Sequence, residues 1–251
     1  MQDSDTASER SGAEPVPERG PRGGEGLSDG LRDWIRSILV ALVLFLIVRT
    51  WVVEAFKIPT GSMEGTLLVG DFLLVNKAAY GGTIPGVDIR IPGFMEPEWG
   101  DVVVFHPPHE PEKNYVKRIV GVPNDTIAMR DKRLYRNGAP VEEPYARYVD
   151  RSGDAIHPGM SWQSNHLIAS TRARYEPTRD NWGPIVVPAG RFFVLGDNRD
   201  NSEDSRYWGF VARDQIRGQP WIVYYSFEPA PDDPLAWLRD IRWTRVGAVI
   251  R

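Results

Sequence analysis

Cysteine is absent from the 251 residues, which excludes a disulfide framework, a zinc–thiolate site and a thiol nucleophile. Histidine is scarce. The four present are poorly set for a catalytic triad: His106 and His109 lie in a Pro-rich turn, His157 and His166 in an irregular stretch, and none adjoins a strained serine turn. Neither sign of charge dominates, since 30 Lys+Arg face 34 Asp+Glu for a net charge of −4, and no strongly basic block exists. A phosphate-neutralising surface is therefore missing, and nucleic acid is excluded as a partner. Internal repeats and low-complexity runs are also lacking. What is plentiful is glycine (24), proline (21) and aromatics (nine each of Trp, Tyr and Phe), a mixture that suits turn-rich β structure. With 41% hydrophobic residues, the chain can build one or two packed domains.

Residues 1–33 carry eight acids, four Arg, six Gly and three Pro with no aromatic side chain, too little apolar surface to offset the entropy of ordering. They read as a disordered tail. Residues 34–53, WIRSILVALVLFLIVRTWVV, reach ~30 Å as a helix, the thickness of a bilayer's hydrocarbon core. Arg36 and Arg49 stand where long side chains snorkel, and Trp34 and Trp51 stand at interfacial depth. The expectation is a single transmembrane helix. Its uninterrupted run, from Ile38 to Val48, is short, so a buried core helix and a signal-peptide hydrophobic region are the alternatives. Val53 and Ala55 do form a small-x-small pair behind it, but the long acidic segment in front is unlike a cationic leader. Flanking charge is nearly even, with Arg32 and Arg36 against Arg49 and Lys57, so orientation is not decided by the positive-inside rule.

Beyond residue 54 no second span occurs, and short β-branched runs recur between turn residues: 72–77, 102–105, 114–122, 191–195 and 220–225. Asn137-Gly138 between strand-like flanks signals a two-residue hairpin turn. Residues 146–190 are poorer in strands and read as an irregular insertion.

Three segments could carry chemistry. Ile58-Pro-Thr60-Gly-Ser62-Met63-Glu-Gly65-Thr-Leu67 describes a tight, exposed turn able to display a serine nucleophile, with the Thr60 hydroxyl two residues before Ser62. By itself it is also an ordinary polar turn. Lys117, in Asn114-Tyr115-Val116-Lys117-Arg118-Ile119, shares a strand face with Tyr115 and Ile119, while Val116 and Arg118 take the other face. One of the two adjacent cations can thus be held against apolar surface, which disfavours an ammonium and makes a lysine a usable base. Edge-strand lysines that discourage aggregation are the plainer alternative. The third segment, 196–209, GDNRDNSEDSRYWG, is an Asn/Asp-rich loop without EF-hand spacing, so no metal site is expected. Ser202 could hold a neutral lysine's rotamer, and Asp204 could pair with Arg206.

Taken together, PTGSMEGTLLVGD, GDVVVF, YVKRIVGVPND and GDNRDNSEDSRYWG, in that order behind an apolar span, resemble the type I signal peptidases, membrane-anchored serine proteases with a Ser-Lys dyad. The resemblance runs from the span to about Phe227. It implies Ser62 as nucleophile, Lys117 as general base, the Thr60 side chain and Ser62 N–H as oxyanion hole, Ser202 as the residue orienting Lys117, and Asp204 and Arg206 as structural partners. Phe56, Ile58, Met63, Leu67, Tyr115 and Val116 match positions that line the family's shallow apolar pockets.

Two departures stand out. Gly65 replaces the family's common proline, a change expected to loosen the turn, and Thr60 replaces a common serine while keeping the hydroxyl.

The fold so implied is mainly β, an antiparallel sheet structure with a variable cap, preceded by one transmembrane helix. The catalytic β domain would occupy 54–130 and 189–251, the cap 131–188. The resemblance further implies a cytoplasmic tail, an extracytoplasmic β domain at the bacterial cytoplasmic membrane, secretory preproteins and the lipid bilayer as partners, and no cofactor. Another Ser-Lys maturation peptidase, and a catalytically silent membrane-tethered β scaffold, are the competing readings.

Overall fold

The computed structural model describes residues 27–51, 53–83, 90–150, 154–168 and 175–251. Helix α1 runs Leu27–Trp51. It therefore starts inside the segment expected to be disordered tail. Acidic Asp29 and Asp33 suit the positive end of its dipole, and no Pro or Gly interrupts the chain from 31 to 58. The rest of the expected tail, residues 1–26, lies outside the described residues, as do the side chains of Arg49 and Trp51. Among the described residues no helix is long and apolar enough to cross a membrane; Asp33 and Arg36 precede a short apolar run.

The strands, in chain order, are β1 (Val53–Lys57), β2 (Asp71–Asn76), β3 (Gly81–Thr83), β4 (Arg90–Pro92), β5 (Val102–Phe105), β6 (Tyr115–Gly121), β7 (Thr126–Arg130), β8 (Arg133–Arg136), β9 (Ala139–Pro140), β10 (Trp182–Val186), β11 (Arg191–Leu195), β12 (Val211–Ala212) and β13 (Ile216–Ser226). Seven of them form a sheet in the order β1-β2-β13-β5-β6-β11-β12, antiparallel at every junction. Long β13 ties its halves together by pairing with both β2 and β5, and its register slips beside Pro220, where no N–H exists to continue the ladder.

Strand β5 is buried throughout because each face meets a different apolar cluster. Val102 and Val104 pack with Ile58, Met63, Leu67, Leu73, Val75 and Val223, and Val103 and Phe105 pack with Ile119, Phe192, Val194 and Ile216. Each such side chain removed from water is worth ~1.5–3 kcal/mol. The turn that follows β1 and strand β6, which pairs with β5, are thereby seated on a strand covered on both faces.

A second sheet, β10-β7-β8-β9, begins at Thr126, earlier than the expected cap boundary at 131. The reason lies in its packing: Ile127 and Met129 of β7 join Leu134, Trp182 and Ile185 against Val120, Phe193 and Leu195 of the first sheet. Asn137 and Gly138 take φ 52° and 84° and close the β8–β9 hairpin as their pairing signals. Within 146–190, expected to be irregular, stand β10 and a 3₁₀ segment, Pro158–His166.

Candidate active site

Strand β1 ends where Pro59 can no longer donate to a ladder, and the chain turns through Thr60 into one 3₁₀ turn, Gly61–Met63. Met63 anchors this turn in the core, while Glu64 N donates to Gly61 O (3.0 Å) and Leu67 N to Met63 O (2.8 Å). The Thr60 side chain makes no capping bond to the turn. Gly65 does not loosen the structure. Its φ is +118°, and a Cβ there would sit 2.7 Å from the Tyr145 carbonyl oxygen, a conformation and a closeness that proline and every other L residue resist.

Lys117 lies in β6 opposite Val103 of β5 and is only 4% exposed. Its Nζ is 2.6 Å from Ser62 Oγ, and among the described residues no carboxylate stands within ion-pair distance of it. Burial is the largest influence on the ammonium and, with Arg206, outweighs the opposing charges of Asp204, Glu203 and Asp197, pulling its pKa down to about 8.

The neighbouring cation has the opposite fate. Arg118 is equally buried but donates from Nε and Nη2 to the two Asp197 oxygens (2.9 and 2.7 Å) and from Nη1 to Gly100 O (2.7 Å). Of two adjacent basic residues, one is neutralised and the other is left to meet a serine.

The loop after β11 completes the site. A Cβ on Gly196 would fall 2.2 Å from Ser202 Oγ and 2.5 Å from Ser62 O, so glycine is required where the loop crosses the serine turn. Ser202 Oγ donates to Asp204 Oδ2 (2.8 Å), which also accepts from Gly196 N (3.1 Å). Arg206 donates from Nε and Nη2 to the two Asp204 oxygens, each at 2.8 Å. Burial pushes the Asp204 carboxyl up, but the Arg206 charge and these hydrogen bonds prevail and hold it below the ordinary range. Asn198 clamps the serine turn from behind, its N donating to Ser62 O (3.1 Å) and its Nδ2 to Gly61 O (3.2 Å).

Ser62 and Lys117 open onto a groove of about 540 Å³ also lined by Phe56, Ile58, Thr60, Met63, Tyr115 and Val116. Leu67 is not part of this lining: it is fully buried in the core with Ile58 and Met63, beyond contact with a ligand in the groove. Ser202, Asp204 and Arg206 are buried and are not part of the lining either. Sequence reasoning missed Lys57, Lys113, Asn114, Asn201 and Glu203 on the lining, and missed Asn198. Adjacency to the quoted motifs was the available signal for most of them. Among the described residues no three His, Asp or Glu side chains gather as a metal-ion ligand set.

Comparison with known proteins bears on this geometry. The family described as signal peptidase, peptidase S26, matches residues 31–225. The chain is 40% identical to signal peptidase I of Pseudomonas aeruginosa over 234 residues, covering 87% of this chain and 79% of that protein. It is 37% identical to the Pseudomonas fluorescens signal peptidase I, with 87% and 79% covered. To signal peptidase I of Aquifex aeolicus it is 32% identical, with 84% and 93% covered. A match spanning most of both partners admits one conclusion: this chain belongs to the type I signal peptidases, serine endopeptidases of peptidase family S26.

Proposed function

We propose that this chain removes leader peptides from secretory preproteins after a small-x-small motif, with Ser62 as nucleophile and Lys117 as general base. The observation that carries the reading is the 2.6 Å contact between Lys117 Nζ and Ser62 Oγ at a lysine buried without a carboxylate partner. Neutral Lys117 takes the Oγ proton as Ser62 forms a bond to the scissile carbonyl carbon. The Ser62 N–H and the Thr60 hydroxyl, which the turn leaves uncapped, donate to the oxyanion. The C–N bond then breaks and the lysine's proton passes to the departing amine. Water enters, gives its proton to Lys117 and attacks the ester carbonyl; Oγ regains the proton as the leader's carboxylate leaves.

Support for substrate binding comes from β1, an edge of the seven-stranded sheet, which offers its open side to an extended leader. Apolar Phe56, Ile58, Met63, Tyr115 and Val116 in the groove suit small, uncharged residues at the leader's third-last and last positions. Ser202 orients Lys117 through its position beside the serine turn, and the buried Asp204–Arg206 pair fixes Ser202.

Helix α1 serves as a single membrane anchor, with the tail cytoplasmic and the β domain outside. Leu39, Val40, Leu42, Val43, Leu44 and Phe45 are exposed around its circumference, and such a face needs apolar surroundings. Tethering enzyme and leader to one membrane raises their effective concentration.

The test is cleavage of a detergent-solubilised preprotein with an Ala-x-Ala leader by the wild type, Ser62→Ala and Lys117→Ala, each checked for folding. Wild-type cleavage at the leader junction with two folded, inert variants is expected. Undiminished cleavage by either variant overturns the dyad.

A further inference from the structure

Asn198 carries a buried polar atom with nothing to bond to. The residue is 1% exposed, and among the described residues its Oδ1 has no hydrogen-bond partner. The other end of the same amide is occupied: Nδ2 donates to Gly61 O (3.2 Å) and toward Glu64 Oε2 (3.4 Å). A carbonyl oxygen can only accept, so the NH2 must be the end that faces Gly61. Chemistry therefore fixes which way the amide is turned, and the unpartnered oxygen follows from it.

The nitrogen holds one end of a particular peptide group. Gly61 O accepts a second hydrogen bond, from Glu64 N (3.0 Å). The Gly61–Ser62 peptide is trans, so its C=O and N–H point in opposite directions in one plane. Asn198 is buried and outside the groove lining, so tying the oxygen to it turns the Ser62 N–H the other way. Among the described residues that N–H donates to no protein group. It is an orphan donor at the start of a helical turn, left for what enters the groove beside Ser62. Two bonds accepted by the carbonyl also polarise the amide and strengthen the N–H as a donor.

The base under Asn198 is firm. Its own N donates to Ser62 O (3.1 Å), so one residue holds the peptide groups on both sides of the Ser62 Cα. Asp197 before it is paired with Arg118, and Arg199 after it donates to both Glu143 oxygens at 2.6 Å. The main chain is tied as well: Arg147 N donates to Asp197 O (2.7 Å) and Arg199 N to Arg147 O (2.9 Å).

We propose that Asn198 is a positioning residue for cleavage: through Nδ2 it holds Gly61 O and thereby aims the Ser62 N–H at the oxyanion. The inference rests on the oxyanion role of that N–H proposed above.

The experiment uses the full chain in detergent, a substrate with an Ala-x-Ala leader, and two leader-peptide ligands, an aldehyde and the matching alcohol. Ser62 Oγ adds to the aldehyde carbon, its proton passes to Lys117 and the carbonyl oxygen becomes the oxyanion; the alcohol forms no adduct. Asn198→Leu, close in shape and without a donor, is expected to lower kcat about ten- to hundredfold, the range for a residue that orients a direct participant, with KM within about twofold. The apparent pKa of kcat/KM is expected to stay at the wild-type value, and the aldehyde-to-alcohol affinity ratio to fall in step with kcat. Asn198→Ala, which leaves space in place of bulk, is the second variant where the first does not fold. An unchanged aldehyde-to-alcohol ratio in either folded variant overturns the proposal, whatever happens to kcat. A wild type that binds the aldehyde no more tightly than the alcohol overturns the oxyanion reading beneath it.

Discussion

Lowering the pH should switch this enzyme off through Lys117 rather than through a histidine. With the lysine pKa at about 8, the neutral fraction is about one tenth at pH 7 and about nine tenths at pH 9, by the ordinary titration relation. Cleavage by a neutral amine should therefore rise about tenfold across that interval and fall a further tenfold per unit below pH 7. The assay is kcat/KM, which reports the free enzyme, on a leader peptide without groups titrating between pH 6 and 9.5. Tyr115, the other ionisable residue against Lys117, is silent there, since burial first, and then its hydrogen bond to Glu110, raise its phenol to about 12. Removing the imidazole near the groove, by His109→Gln, should leave the profile in place. A flat profile from pH 6.5 to 9, or an apparent pKa at the ordinary lysine value, would refute the argument that burial makes this lysine a base.

The same burial costs stability. Because the folded pKa of Lys117 lies below the unfolded one, the penalty is fully present below pH 8 and disappears as pH rises toward 10.5; Lys117→Met should thus be inactive yet more stable at pH 7, by up to about 3 kcal/mol, in chemical denaturation. Arg118→Met should do the reverse, leaving buried Asp197 unpaired at a cost of about 3–5 kcal/mol, measurable as a lowered denaturation midpoint. Thr60→Val, which keeps the shape and removes the hydroxyl, should lower kcat by about 10²–10³ with little change in KM if that hydroxyl meets the oxyanion; an unchanged kcat would remove Thr60 from the machinery.

Much of this architecture could be read from residue order. The β-branched runs at 72–77, 102–105, 191–195 and 220–225 coincide with β2, β5, β11 and β13, because alternation and bounding turn residues are local signals. Asn137-Gly138 announced its hairpin for the same reason. Less legible were features that depend on what packs across the sheet. Arg118 and Lys117 are both buried, and only the approach of Asp197, 79 positions away along the chain, distinguishes the neutralised cation from the one beside Ser62. Leu67 resembles a pocket residue by motif position, yet its turn folds it into the core between Met63 and Val104. Gly65 reads as a loosened turn from its neighbours in sequence, whereas the Tyr145 carbonyl that leaves room only for glycine lies 80 positions away along the chain. Asn198 acquires meaning from the direction of a loop that crosses the serine turn, which no short-range pattern encodes.

In the proposed reaction Ser62, activated by Lys117, carries the leader as an ester. Its most direct test is acid-quenched incubation with a leader-peptide substrate, followed by mass mapping of the digested enzyme. An acyl adduct is expected on the peptide containing Ser62 and on no other, formed by the wild type and lost in Ser62→Ala and Lys117→Ala. An adduct elsewhere, or turnover by Ser62→Ala at the wild-type rate, would contradict it.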